Sequence, residues 1–101
     1  MSAKLEFDRQ SLAGTCRRYR IKQLSLFGSV VRDDFDPDHS DIDVLVEFTP
    51  GADRSLFTIV NLQDALTDLF GRPAHVVTPG SLSKYFREQV IAESEPQYVA
   101  P

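Results

Sequence analysis

GSVVRDDFDPDHSDIDVLV, residues 28–46, decides how the whole chain is read. A Gly-Ser step and an arginine precede a run of aspartates that ends in Asp41-Ile42-Asp43, directly before Val, Leu and Val. Like charges crowded against an apolar strand raise the free energy of folding, and a cation among them relieves that cost. Residues 42–48, IDVLVEF, are rich in branched and aromatic side chains and predict a strand. Side chains two apart in a strand share a face, with Cα atoms roughly 6.5–7 Å apart. Asp41 and Asp43 are therefore expected to project side by side at the strand's start, with Ile42 and Val44 turned into the core.

Two carboxylates held that way can share one hard cation or straddle two. Magnesium suits them, because it takes oxygen ligands and binds through one or two carboxylates plus substrate phosphates. Just upstream, residues 21–27 carry Leu24, Leu26 and Phe27 and predict a short buried strand. Gly28 and Ser29 break it, and a short helix is expected over residues 29–32. Backbone N–H groups at such a break point toward an incoming anion. Glycine lets a phosphate approach closely, the Ser29 hydroxyl adds a donor, and Arg32 can place a guanidinium on phosphate oxygens. Ser40 supplies one more donor before the carboxylates. An anion cradle facing paired carboxylates is a nucleoside triphosphate site in outline.

Competing readings of this stretch fare worse. A calcium loop starting at Asp34 would need glycine where His39 stands and glutamate where Leu45 stands. A Walker A loop would need a second glycine followed by lysine after Gly28. A solvated acidic turn, with Asp41 merely capping, would explain an isolated Asp-x-Asp but leaves the Gly-Ser step and Arg32 unexplained. His39 reads as a solvated loop residue. Glu47, on the nominal face of Asp43, reads as a surface residue and is the nearest spare carboxylate.

Outward from this stretch, residues 8–19 place Leu12, Ala13, Cys16 and Tyr19 at helical spacing, with Arg17, Arg18 and Arg20 at the carbonyl end. Ser55 is a good N-cap for a helix carrying Leu56, Ile59, Val60, Leu62, Leu66, Leu69 and Phe70, stopped by Gly71 and Pro73. Residues 74–78 predict a third strand, ended by Pro79-Gly80, and residues 82–93 a last helix using Leu82, Phe86, Val90 and Ile91. The expected architecture is α+β, an α/β-type sandwich in which a small mixed sheet is flanked by helices. A single domain is expected over residues 1–95, with residues 96–101 as a frayed or partner-bound tail.

Length and charge narrow the function. The chain has 101 residues, enough for one core, and a formal net charge of -4, which argues against duplex nucleic acid as the main partner. No apolar run approaches membrane-spanning length. The opening MSAKLEFDRQ lacks the apolar middle of a secretory signal, and the single cysteine, Cys16, sits on an apolar helix stripe. A cytoplasmic, reduced setting is expected.

Gly28-Ser29, Arg32, a short acidic loop and Ser40-Asp41-Ile42-Asp43 resemble the signature of the polymerase-beta-type nucleotidyltransferases. The chain as a whole is similar to their minimal, single-domain branch, through LFGS, SDIDVLVEF, the long helix with its GRP stop, VVTP and the final helix. The resemblance implies the minimal nucleotidyltransferase fold. It also implies an antitoxin role, since members of this branch commonly neutralise a small helical toxin of the HEPN class, some by moving AMP from ATP onto a toxin tyrosine. Carried onto this chain, it implies that Gly28 and Ser29 hold the triphosphate with support from Arg32, and that Asp41 and Asp43 bind Mg2+.

One position departs from the family. A third carboxylate is usual on the next strand, yet Ala74-His75-Val76-Val77-Thr78-Pro79 carries His75 there. Histidine is a poor magnesium ligand. It can serve as a general base near neutral pH, or it can mark a weakened site. Two functions follow. In one, Asp41, Asp43 and His75 catalyse transfer of AMP to the partner. In the other, the fold is kept as an antitoxin that masks its toxin by contact, with nucleotide optional. Transfer to a small molecule such as an aminoglycoside is a weaker third reading, because this chain shows no second domain to form an acceptor pocket.

Overall fold

Asp8 starts the first helix. Its carboxylate accepts the Gln10 N–H at 3.0 Å and the Ser11 hydroxyl at 2.8 Å, and these bonds hold the carboxyl below its ordinary value. The helix that follows, α1, runs Arg9–Arg18 and buries Leu12 and Cys16. The structure, a computed structural model, describes residues 6–31 and 41–101. Beyond α1 come β1 (Ile21–Phe27), a 3₁₀ turn (Gly28–Val31), β2 (Ile42–Phe48), α2 (Leu56–Phe70), β3 (Ala74–Val77), a second 3₁₀ turn (Pro79–Ser81), α3 (Arg87–Glu93) and β4 (Glu95–Val99).

The strands form one mixed sheet in the order β3-β2-β1-β4. β1 lies antiparallel to both β2 and β4, while β2 and β3 are parallel. A parallel pair needs a crossover, and α2 is that connection. Ser55 caps α2 by accepting the Thr58 N–H, and Gly71 ends it in the left-handed conformation at φ 74°.

Alternation in the two central strands builds the core. Leu24 and Leu26 from β1 and Ile42, Val44 and Val46 from β2 are fully buried against Leu12, Cys16, Leu62 and Leu66 of α1 and α2. Each such side chain contributes about 1.5–3 kcal/mol by leaving water. Phe7 closes one end of this layer edge-on against Phe70, with ring centroids 5.2 Å apart. The expected mixed sheet with flanking helices is what the chain adopts.

Two local expectations need correction. Residues 96–101 are not a frayed tail: β4 pairs Leu24 with Tyr98 and Ser25 with Pro96, and the Ala100 N–H donates to the Lys22 carbonyl at 2.8 Å. A proline is tolerated there because β4 is an outer strand. The short helix expected after Phe27 is there, as a 3₁₀ turn over Gly28–Val31. The last helix begins at Arg87 instead of 82, because the guanidinium of Arg87 is tied to the carbonyls of Pro79 and Leu82 at 2.8 and 3.1 Å. Those bonds hold the preceding residues in turns and leave α3 with no buried side chain.

Candidate nucleotide and metal site

The ends of three strands meet at one edge of the sheet. In register, Phe27 of β1 lies beside Asp43 of β2, and Asp43 lies beside His75 of β3. The chain leaves β1 through Gly28 and enters β2 from Asp41, so sequence-distant residues converge at this rim. The Ile42 N–H donates to the Pro73 carbonyl at 2.8 Å and fixes where β3 begins relative to the aspartates.

Gly28 adopts φ +76°, and a Cβ built on it would overlap the Asp43 carboxylate oxygen Oδ2. Glycine is thus required twice, for backbone conformation and for the approach of a half-buried carboxylate. Ser29 follows in the 3₁₀ turn and is half-buried. The turn is too short to act as a helix pole. What it offers is backbone and hydroxyl donors next to Asp43.

Asp41 leans to the other side. Its Oδ2 lies 2.8 Å from His75 Nε2, and its Oδ1 lies 3.9 Å from Arg72 Nη2. Both Asp41 and His75 are exposed at the rim. The expected picture of two aspartates side by side is therefore refined. Asp43 packs toward β1 and Gly28, whereas Asp41 is drawn toward β3 by His75 and Arg72. An ionised carboxylate only accepts hydrogen bonds, so a neutral His75 in this contact carries its proton on Nε2 and has its lone pair on Nδ1.

Of the residues expected at the site, Gly28, Ser29, Asp41, Asp43 and His75 gather at this rim, while Arg32 and Ser40 lie outside the described residues, as does the loop residue His39. Arg72 is an addition that sequence reasoning missed. Its place beside Asp41 depends on the parallel register of β2 with β3, and its position in the helix-stop sequence GRP was the only available hint. Glu47 is exposed on β2, four residues beyond Asp43. Cys16 is no nucleophile, since burial pushes its thiol up to about 12.

The donor set suits a hard cation. Among the described residues no three His, Cys, Asp or Glu side chains converge to hold an ion. Two carboxylates with an open rim beside a glycine cradle are nevertheless what magnesium uses when substrate phosphates complete its shell.

A profile of the nucleotidyltransferase domain matches residues 9–97, and the chain belongs to that family. It is similar to two proteins of Methanocaldococcus jannaschii named as candidate protein adenylyltransferases. One is 32% identical over 77 residues, covering 76% of this chain and 80% of the relative. The other is 29% identical over 76 residues, covering 75% and 74%. Among solved structures, one described as a candidate minimal nucleotidyltransferase superposes with a TM-score of 0.72 at 34% identity, covering 87% of each chain. A toxin–antitoxin complex crystallised with AMP-PNP shares the fold at TM-score 0.71 and 19% identity, over 92% of this chain and 74% of that one. A Shewanella oneidensis complex of a tri-AMPylated HEPN toxin with its MNT antitoxin shares it at TM-score 0.62 and 19% identity, over 91% and 70%.

Proposed function

We propose that this nucleotidyltransferase domain is an antitoxin that moves AMP from ATP onto a tyrosine of a HEPN-class toxin. The observation that carries the reading is the Asp41/Asp43 pair at the rim of β2, with Gly28 held open against Asp43. Relatives named as protein adenylyltransferases, and neighbours solved as toxin–antitoxin complexes with nucleotide or with AMPylated toxin, support it.

In the proposed reaction the tyrosine oxygen bonds to the α-phosphorus of ATP, the bridge to the β-phosphate breaks, and pyrophosphate leaves. Gly28 and Ser29 present backbone and hydroxyl donors to the triphosphate, with Arg32 and Ser40 as further donors. Asp41 and Asp43 would hold Mg2+, which when bound neutralises phosphate charge. Asp41 accepts the Nε2–H of His75 and orients the ring. The free Nδ1 can then take the tyrosine proton. Arg72, beside Asp41, offsets negative charge at the rim.

The same His75–Asp41 contact also favours a second reading. It engages an oxygen that a metal would otherwise use, and that is compatible with an antitoxin that masks its toxin by contact.

One experiment separates the two. The domain is purified with the HEPN-class protein encoded beside it and incubated with ATP and Mg2+, and the partner's intact mass is followed. A gain of AMP that Asp41→Asn/Asp43→Asn abolishes, and that His75→Ala lowers by about 100-fold as expected for loss of a general base, supports transfer. A tight complex with no mass gain, and neutralisation in cells that survives the double substitution, establishes masking instead. If His75→Asp gains transfer that the unmodified domain lacks, the site is a weakened form of the family's three-carboxylate centre.

A further inference from the structure

Cations crowd the end of the molecule opposite the Asp41–Asp43 rim. Arg17, Arg18, Arg20 and Lys22 close α1 and open β1, the length of that strand away from Gly28, and all of them are exposed. None makes an ion pair among the described residues; Arg18 lies over the Tyr19 ring, its guanidinium carbon 5.1 Å from the ring centre. The carbonyl pole of α1 accounts for Arg17 and Arg18. Arg20 and Lys22 lie beyond it. Arg20 is moreover the only non-glycine among the described residues with a positive φ, at 59°. It follows Tyr19, the cap of α1, at a position where helices usually place glycine. A left-handed backbone is costly for an L side chain, so a guanidinium stands here against the preference of the backbone that carries it.

An apolar surface adjoins these charges. The Thr49 N–H donates to the Arg20 carbonyl at 2.9 Å, and the Arg54 guanidinium donates to the Thr49 carbonyl at 3.3 Å. That chain of bonds sets the end of α1 beside the start of α2. There Leu56, Phe57 and Val60 are 77%, 83% and 45% exposed and line an apolar hollow of about 230 Å³. Nearby carboxylates do not cancel the cations. Asp53 accepts the Ser55 N–H at 2.9 Å and offsets its neighbour Arg54. Glu47 alternates with the buried Phe48 and so faces away from the helical layer. Apolar side chains bordered by unpaired arginines have the composition of a protein–protein contact.

We infer that this end of the helical layer docks an acidic amphipathic segment of another protein, with an apolar side chain in the hollow at Phe57 and carboxylates on Arg17, Arg18, Arg20 and Lys22. Charge complementarity selects that occupant. A second copy meeting this end by two-fold symmetry would set the same cations against each other. A single-stranded nucleic acid would bring phosphates to the arginines, but its bases need aromatic faces, and the hollow offers one ring between two aliphatic side chains. Its remaining phosphates would meet a chain of net charge -4. The surface is separate from Gly28, Asp41 and Asp43, so a partner held here leaves that rim open. It does not depend on the transfer reading above.

The test uses the 15N-labelled full chain and the probe acetyl-Glu-Glu-Leu-Phe-Glu-Glu-amide, beside a version with lysine for each glutamate and an oligouridylate. The expected result is a saturable shift of the Arg20, Phe57 and Val60 amide resonances with the acidic peptide alone, weakened about tenfold between about 50 and 500 mM salt. Arg20→Gly should weaken binding about tenfold while raising Tm by about 4 °C, because glycine relieves the left-handed backbone and the exposed side chain is lost without a packing cost. Phe57→Ala, also at an exposed position, should weaken binding as much without lowering Tm. Amides unmoved by millimolar acidic peptide, moved equally by the lysine version, or unaffected by Arg20→Gly overturn the inference. Tighter binding of the oligouridylate would make this a nucleic-acid surface, and self-association abolished by Arg20→Gly would make the occupant a second copy; either result overturns it too. The readout needs no nucleotide and should survive Asp41→Asn/Asp43→Asn, so failure of AMP transfer would sink the enzymatic reading while leaving this one to be judged by the peptide alone.

Discussion

Gly28 carries the site's tightest constraint, and Gly71 provides its control. Both occupy positive φ, at 76° and 74°, where an L side chain costs about 1–2 kcal/mol. Only at Gly28 would the added Cβ also strike a carboxylate, while at Gly71 it meets nothing within 4 Å. Gly71→Ala is expected to lower stability by the backbone cost alone. Gly28→Ala should lose more, and should displace Asp43, so that nucleotide transfer or binding falls sharply in a protein that still folds. Urea denaturation beside nucleotide titration of the two variants checks this. Equal stability losses with nucleotide binding intact in Gly28→Ala would show that the Gly28–Asp43 contact is incidental. At this scale the sequence was informative about the aspartates and the glycine, whose chemistry is local. It was silent about Arg72, since no local pattern reports which loop residue a parallel register will set beside Asp41.

Elements divide in the same way. β1, β2 and α2 were legible because their apolar patterns, the Ser55 cap and the Gly71 stop are consistent with one another. β4 was not, because Glu95-Pro96-Gln97-Tyr98-Val99 is polar and interrupted by proline, and only pairing with β1 makes it a strand. The proline was itself a signal for an outer strand. For α1 the cap makes a pH prediction. Asp8 titrates below its unfolded value because it accepts bonds from Gln10 and Ser11. Its contribution to stability is therefore complete above the unfolded carboxylate value of about 3.9 and is lost as pH falls through the lower folded value. Asp8→Asn should melt below the wild type by a constant margin above about pH 5, and that margin should shrink toward pH 3. A margin that stays constant across the acid range would remove Asp8 as a titrating cap.

For the whole molecule, the position of the site follows from how unevenly the packing is distributed. The central strands β1 and β2, bonded on both sides and packed on α1 and α2, hold most of the buried side chains. Gly28, Asp41, Asp43 and His75 sit at the ends of those strands and on β3, so the stiffest part of the sheet orients them. By contrast, α3 buries no side chain and exposes Ile91, with Tyr85 and Phe86 exposed just before it. Native-state hydrogen exchange should therefore show a gradient. Amides of Leu24, Leu26 and Val44 should exchange only through global unfolding, with a denaturant dependence equal to that of the equilibrium transition. Amides of α3 should exchange through a local opening nearly independent of denaturant, while β3 and β4 fall between. If α3 exchanged as slowly as β1, the molecule would open as one unit. A rigid rim at Asp43 could not then coexist with a segment free to reshape beside an incoming chain. If the gradient holds, rigidity is concentrated where the proposed reaction positions phosphates and a metal, and freedom is left where the proposed protein acceptor would arrive and depart.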